Sequence, residues 1–518
     1  MKKLCAKSLH RYVGVALFVF LALSALSGII INHRALWAEV NVPRWLLPKA
    51  YQIEDWNNAA LRATLQTKQA TYLYGATGVW ATDSSFREKA VELNDGFAPG
   101  ADERKIVAMV QDAQGVVWAA SQFRLYSLVG QRTWQEQTLP DTLAERIADL
   151  YVKGDSLMVL TRSHLLLRRT EATDWTVVNV PPSKNHEWGT LLFQIVWALH
   201  SGEFFGTAGK LAVDLLGILL IGISVTGIYF FLLRHRHLRD ASPALRQQRS
   251  RRLQQLLRWH RGWGWHWLLP LLFVVVTGWA LRPPLLLAFV FHRVEPWRLS
   301  SLYSSNPWHE RFRAIRYDYH RKQWLLSTST GFYVCKHLGD VPQRWSVQPP
   351  MSPMGVNALV QKKDGSWLVG SFSGAFEVYL DETKIVNYFT RQAVDASAHA
   401  RPVSEHAVSG IVVHRDGRAQ MVLYDAGVVE RTPHPPFYKK TDFLAQPADL
   451  EKTPFSLWQY ALEVHTGRIY VPFIGKIGTE LFTFLFGGFT LLVLLTGWWR
   501  MREGRKKRRE AFKFKRKS

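Results

Sequence analysis

Cysteine is nearly absent: the 518 residues contain two, Cys5 and Cys335. They fall on opposite sides of the apolar segments described below, so no internal disulfide is expected. Two isolated cysteines also exclude C-x-x-C-H haem attachment and any cysteine-rich cluster site. The chain has no H-E-x-x-H zinc motif, and no G-x-G-x-x-G follows a strand pattern. Acidic residues are scarce too, 41 against 65 Lys and Arg, for a net charge of +24. That imbalance is local. Residues 1–12 hold four Lys/Arg, residues 234–261 nine with one acid, and residues 500–518 eleven with two acids, so three short segments carry +21 of the +24. The rest is almost neutral, which excludes a basic nucleic-acid-binding surface.

What the chain does have is long apolar runs, at 12–31, 211–233, 263–281 and 477–499. Each is about 20 residues, enough to cross roughly 30 Å of hydrocarbon as a helix. The three basic segments abut the same side of these spans. The positive-inside rule therefore assigns both termini and the middle loop to the cytoplasm, and the long segments 33–210 and 282–476 to the other side. A basic start and an apolar run also describe a signal peptide. INHRALW after the first run lacks a small-x-small cleavage site, so the run reads as an anchor. The expected division is span one with a cytoplasmic N-terminus (1–32), a β-repeat half (33–186), a juxtamembrane helix with span two (187–234), a basic loop (235–258), span three (259–282), a second β-repeat half (283–454), a juxtamembrane helix with span four (455–500) and a basic tail (501–518).

The chain repeats itself. LHRYVGVALFVFLALSALSGI and WHRGWGWHWLLPLLFVVVTGW both read H-R-x-x-G, then Ser/Thr-Gly seventeen residues after the histidine. His10 matches His260, Arg11 matches Arg261, Gly14 matches Gly264, and Ser27-Gly28 matches Thr277-Gly278. Around spans two and four, His200 matches His465, Gly202 matches Gly467, Lys210 matches Lys476, Asp214 matches Glu480, and Thr226-Gly227 matches Thr496-Gly497. The chain therefore reads as two parallel copies of helix, external segment, helix. The small Ser/Thr-Gly pairs let helix backbones approach closely. The external segments repeat as well: QDAQGVVWAASQFRLYSL and KKDGSWLVGSFSGAFEVYL share an Asp and Gly turn, a Trp strand, a small-residue turn and another strand. Weaker copies begin at Ala70, Leu150, Tyr317 and Val412, three units per segment and six in all. The predicted fold is four transmembrane helices in two parallel repeats, plus an all-β domain built from two insertions. That domain reads as one six-bladed propeller or as two separate β-domains.

The histidines recur by the same symmetry. His10 and His260 begin spans one and three on the cytoplasmic side; His200 and His465 precede spans two and four on the external side. Each level thus has two imidazoles, as a bis-His metal centre requires, and neutral imidazole is a good ligand for haem iron. Glycines beside them, Gly14, Gly264, Gly202 and Gly467, would admit a flat macrocycle. Arg11 and Arg261 are positioned either to pair with propionates or simply to anchor the cytoplasmic face. His33 and His266 are second-tier ligand candidates. His235 and His237 read as solvated loop residues. Asp214 and Glu480 are acids at membrane depth; each follows a lysine by four residues, which reads as an i,i+4 pair or as proton or substrate handling. Zinc fits less well, lacking Cys-pair spacing and redox use.

The H-R-x-x-G start, the L-H-[ST]-G stretch before G-K and the closing T-G segment resemble the PepSY-associated transmembrane proteins of bacteria. The resemblance covers the helical regions, about a third of the chain. It implies an inner-membrane protein related to ferric-siderophore reductases of the ferrioxamine reductase type, with one or two haem b ligated by His10, His200, His260 and His465. Members often carry PepSY-type α+β domains outside the membrane, and here the external segments read as β-repeats instead.

The expected function is a multi-pass inner-membrane haem oxidoreductase with both termini cytoplasmic and large periplasmic domains. It would take electrons from a quinol or a cytoplasmic reductase and reduce a periplasmic acceptor, expected to be a ferric siderophore or another acceptor; its other partner is membrane lipid. The alternative is a non-enzymatic, membrane-anchored β-propeller acting as sensor or scaffold, in which the histidines are structural.

Overall fold

A computed structural model describes residues 2–140, 145–169, 172, 174–235, 242–395 and 404–515. The chain divides into two compact units: Met1–Trp37, Trp188–Tyr303 and Leu457–Ser518 form the first, and Ala38–Glu187 with Ser304–Ser456 the second.

The first unit is helical. In chain order its helices are α1 (Lys2–Asn32), α2 (Arg34–Trp37), α3 (Leu192–Ser201), α4 (Gly206–His235), α5 (Pro243–His266) and α6 (Leu268–Ala280); after α7 (Ala448–Glu451) of the other unit come α8 (Leu457–His465) and α9 (Val471–Lys515). Helix α1 packs on α4, α8 and α9, α6 packs on α3 and α9, and α4 and α9 both touch α5. Many large apolar side chains of these helices, such as Leu269, Phe473 and Ile477, stay exposed. An apolar outer face on helices whose backbone bonds are satisfied internally is what hydrocarbon requires. Three helices, within Ala6–Asn32, Glu203–Leu233 and Arg468–Lys506, are long and apolar enough to cross a membrane.

The third expected span departs from a straight helix. Helices α5 and α6 meet at Trp267 with a bend of 66°, and they supply a fourth crossing only if the bent pair counts as one span. Pro270 explains the break: it has no N–H for the carbonyl of His266, and its ring clashes there. The basic stretch expected as a loop is helical from Pro243 onward, with the Ser242 hydroxyl accepting from the Leu245 N–H at the cap. Residues 236–241, His237 among them, lie outside the described residues, as does the side chain of His235. Residues up to Tyr303 stay with the helical unit rather than opening the second β-segment at 283.

Among the described residues the second unit contains six four-stranded antiparallel meanders, the first and sixth of them lying in one eight-stranded sheet. Their second and third strands are Thr71–Gly75 with Gly78–Thr82, Val117–Ser121 with Leu125–Val129, Ser156–Thr161 with Leu165–Arg169, Gln323–Thr328 with Gly331–Cys335, Trp367–Ser371 with Gly374–Tyr379, and Ala419–Leu423 with Gly427–Arg431. These are the six repeats read from the sequence. Consecutive meanders share apolar cores. Trp134 and Val117 of the second pack with Tyr72 of the first, Trp118 with Leu157 of the third, Met158 with Trp324 of the fourth, Phe332 with Trp367 of the fifth, and Leu368 with Met421 of the sixth. Val422 of the sixth in turn packs with Leu73 and Trp80 of the first. The first and sixth are joined by a parallel pairing of Ala63 with Ile411. The ends of the two inserted segments pair at Asn41–Ser456 and Val42–Phe455.

Candidate functional site

The helical repeat brings its histidines together in two pairs. His10 of α1 and His260 of α5 have ring centroids 6.1 Å apart. His200 of α3 and His465 of α8 have theirs 6.1 Å apart. Every one of the four rings is held the same way. Nδ1 of His10 bonds the carbonyl of Val493 at 3.0 Å, that of His260 the carbonyl of Ile223 at 3.0 Å, that of His200 the carbonyl of Val274 at 2.9 Å, and that of His465 the carbonyl of Ser24 at 2.9 Å. A carbonyl only accepts, so Nδ1 carries the proton and, in the neutral ring, Nε2 keeps its lone pair. Among the described residues no hydrogen-bond partner engages these Nε2 atoms.

The four acceptor carbonyls share a sequence rule. Each lies three residues before Ser27, Thr226, Thr277 or Thr496, and each hydroxyl turns back on its own helix: Ser27 to Leu23 at 2.6 Å, Thr226 to Gly222 at 2.8 Å, Thr277 to Phe273 at 2.8 Å and Thr496 to Leu492 at 2.7 Å. The glycine that follows gives the imidazole its room. A Cβ on Gly28, Gly227, Gly278 or Gly497 would stand 3.2, 3.2, 2.6 or 3.0 Å from Cε1 of the seated histidine. The Ser/Thr-Gly pairs, read from sequence as helix-contact residues, are thus histidine seats. The signal was present, because all four spans carry the pair at matched positions. Gly202 and Gly467 serve the backbone instead. They end α3 and α8 in the left-handed conformation, at φ +80° and +75°, where a side chain is strained.

The remaining expectations fare unevenly. His33 is not with either pair; its Nε2 meets Asp214, whose other oxygen accepts from Asn32 at 3.0 Å. The i,i+4 reading of Asp214 is therefore corrected: Lys210 turns instead to Glu203 at 3.2 Å, because a buried carboxylate from α4 faces α1. Glu480 likewise leaves Lys476 and stands 3.9 Å from Arg282. His266 is exposed and bonds back to the Gly262 carbonyl at 2.8 Å, so it does not replace His260. Arg11 lies 5.8 Å from the Tyr12 ring centroid, and Arg261 is exposed. Among the described residues, no cluster of three or more His, Cys, Asp or Glu is arranged to hold a metal ion; what exists is paired imidazoles.

Membrane-length helices in a duplicated array, seating paired histidines and carrying a β-rich insertion, define an integral membrane protein of repeat origin. Residues 2–234 match the model of the PepSY-associated TM region, a little under half of the chain. No curated protein matches the chain. Among solved structures, the extracellular domain of a hybrid two component system from B. thetaiotaomicron is 8% identical at a TM-score of 0.33, over 72% of this chain and 33% of that one. PorZ, a surface component of the type-IX secretion system of Porphyromonas gingivalis, is 12% identical at 0.32, over 71% and 37%. The computationally designed Ika8 protein is 8% identical at 0.29, over 73% and 97%. The match thus spans little more than a third of the first two proteins, and likeness this loose defines no common fold.

Proposed function

We propose that the chain is a transmembrane haem oxidoreductase that takes electrons from a quinol or cytoplasmic reductase and delivers them to a periplasmic acceptor, a ferric siderophore in the first instance. One observation carries the reading: two pairs of imidazoles, each with Nδ1 fixed to a carbonyl and Nε2 unengaged, at 6.1 Å between ring centroids. A metal–imidazole bond is about 2 Å long and the ring centre lies roughly 1 Å behind its nitrogen, so two rings gripping one ion stand about 6 Å apart. The donor set fits haem b, which His10 with His260 and His200 with His465 would hold. Bound haem supplies one-electron chemistry. The chain's own contribution is orientation: the carbonyl of each seat fixes tautomer and ring angle, as outer-shell partners of metal-bound histidine do. A ferric siderophore suits the acceptor role because hard oxygen ligands release iron once it is reduced.

In this reading α5 and α6 are one broken span, giving four crossings, and the six meanders are blades of one periplasmic propeller. The cyclic sharing of cores, sixth with first included, supports the propeller over two separate β-domains. So do side chains that tie several meanders together: Arg316 of the fourth bonds Asp149 of the third and Leu359 of the fifth.

The test is a reduced-minus-oxidised absorption spectrum of the purified protein with iron quantitation. Two b-type haems per chain are expected, one lost in His10→Ala or His260→Ala and the other in His200→Ala or His465→Ala. A colourless, iron-free protein overturns the proposal in favour of an anchored sensor or scaffold.

A further inference from the structure

The β-unit concentrates arginine where its first strands converge. Arg62 and Arg146 immediately precede the first strands of the first and third meanders, Ala63–Gln66 and Ile147–Lys153; Arg313 and Arg316 lie on that of the fourth, Phe312–Asp318. Arg162 follows the second strand of the third meander, its N–H bonded to the Arg146 carbonyl and its carbonyl to the Phe312 N–H. Arg62 reaches Asn357 at 3.0 Å and the Val356 carbonyl at 3.2 Å. Among the described residues Arg313 bonds only carbonyls, those of Pro353, Glu310 and Phe312. Arg316 pairs with a carboxylate, that of Asp149. The Arg162 guanidinium has no hydrogen bond or ion pair among the described residues.

These guanidiniums feel one another. Burial lowers Arg313 to about 9, assisted by Arg162 and Arg146 and opposed by Glu310. Burial also lowers Arg162, which Glu310 opposes and Arg62 reinforces. Partly buried cations gathered in one place, with Asp149 and Glu310 as the neighbouring acids, repel one another and favour an anion that completes the set.

We propose that this arginine cluster is a binding site for a compact organic polyanion of the polycarboxylate class. Guanidinium forks match carboxylates, and forks presented from several strands favour separated carboxylates over one phosphate. Identifying that polyanion with the acceptor, an anionic ferric chelate, rests on the function proposed above; the binding itself does not.

The experiment uses the detergent-solubilised full chain, with citrate, ferric citrate, inorganic phosphate and the cationic chelate ferrioxamine B as probes in calorimetry and thermal melts. Citrate and ferric citrate are expected to bind, to raise the melting temperature and to weaken with added salt. Phosphate and ferrioxamine B bind at least about tenfold more weakly. Arg162→Gln and Arg313→Gln each lose at least about tenfold in citrate affinity, the scale of one charge-assisted hydrogen bond, while exposed Arg418→Gln keeps it. Without ligand, R162Q melts no lower than the parent, since it sheds an unpartnered cation, so its lost affinity is not misfolding. Failure of both citrate forms to bind, phosphate binding equally well, or unchanged affinity in R162Q and R313Q overturns the assignment. Ferric citrate binding better than citrate identifies the chelate as ligand; equal binding identifies the free carboxylate. A protein that binds citrate yet lacks haem keeps this site and loses the function proposed above.

Discussion

The imidazole of His200 lies so close to Gly278 that a Cβ there would stand 2.6 Å from its Cε1. Carbon atoms do not approach that closely, so Gly278→Ala must displace the ring or the α6 backbone. Overpacking of this kind typically costs about 1–3 kcal/mol. G278A is expected to lower thermal stability in detergent and to abolish one of the two haem signals. Gly28→Ala and Gly227→Ala, at 3.2 Å, should broaden their signals but retain them. The three difference spectra with melting curves give the comparison; equal behaviour of all three would break the link between seat and ligand.

The histidines divide into seated and unseated. H33Q and H266Q are expected to keep the full haem content, because His33 is committed to Asp214 and His266 to its own helix. Any loss of haem in either variant, measured as the pyridine haemochrome, contradicts the assignment of ligands.

Asp214 and Glu480 occupy matched positions yet differ in surroundings. Asp214 is 7% exposed and takes hydrogen bonds from both His33 and Asn32. Asp214→Asn therefore leaves His33 with a poorer acceptor and should cost about 1–3 kcal/mol. The Glu480 side chain is half exposed and 3.9 Å from Arg282, so Glu480→Gln should cost under about 1 kcal/mol. Thermal unfolding of the two variants in the same detergent checks the order, and E480Q proving the more damaging would refute it.

Duplication made the histidine pairs legible, because an internal copy turns a lone imidazole into a matched set. The six β-hairpins were legible from a recurring strand–turn–strand pattern, clearest in the second and fifth, where an Asp and Gly turn precedes a tryptophan strand. Their outer strands were not: Val91–Glu92 and Gln343–Arg344 are two residues long and largely exposed, so no apolar alternation marks them. Hydropathy also missed the break at Trp267, since Pro270 leaves the run apolar while ending the helix geometrically. The pairing of Asp214 was hidden for a different reason. Spacing along α4 points to Lys210, whereas the partners are the last residue of α1 and the one after it, about 180 residues earlier.

Glu377, in the fifth meander, gives a prediction about acid stability. Burial raises its pKa, but the Tyr379 hydroxyl, Arg391 and Lys362 outweigh that and hold the carboxyl below its ordinary value. Arg391 stands 2.6 Å away and Tyr379 donates at 2.7 Å. The folded state thus prefers the ionised form more than the unfolded chain does. Its contribution is complete above the unfolded carboxyl value, about 4.3, and fades as the pH falls through the lower folded value. Glu377→Gln should lower stability at neutral pH by about 1–3 kcal/mol, leaving Arg391 without its charge partner, and the loss should shrink as both proteins are acidified below about pH 4. Melting curves of parent and E377Q from pH 7 to pH 3 measure this. A gap that stayed constant across the range would mean that the carboxylate charge does not act through Arg391 and Tyr379.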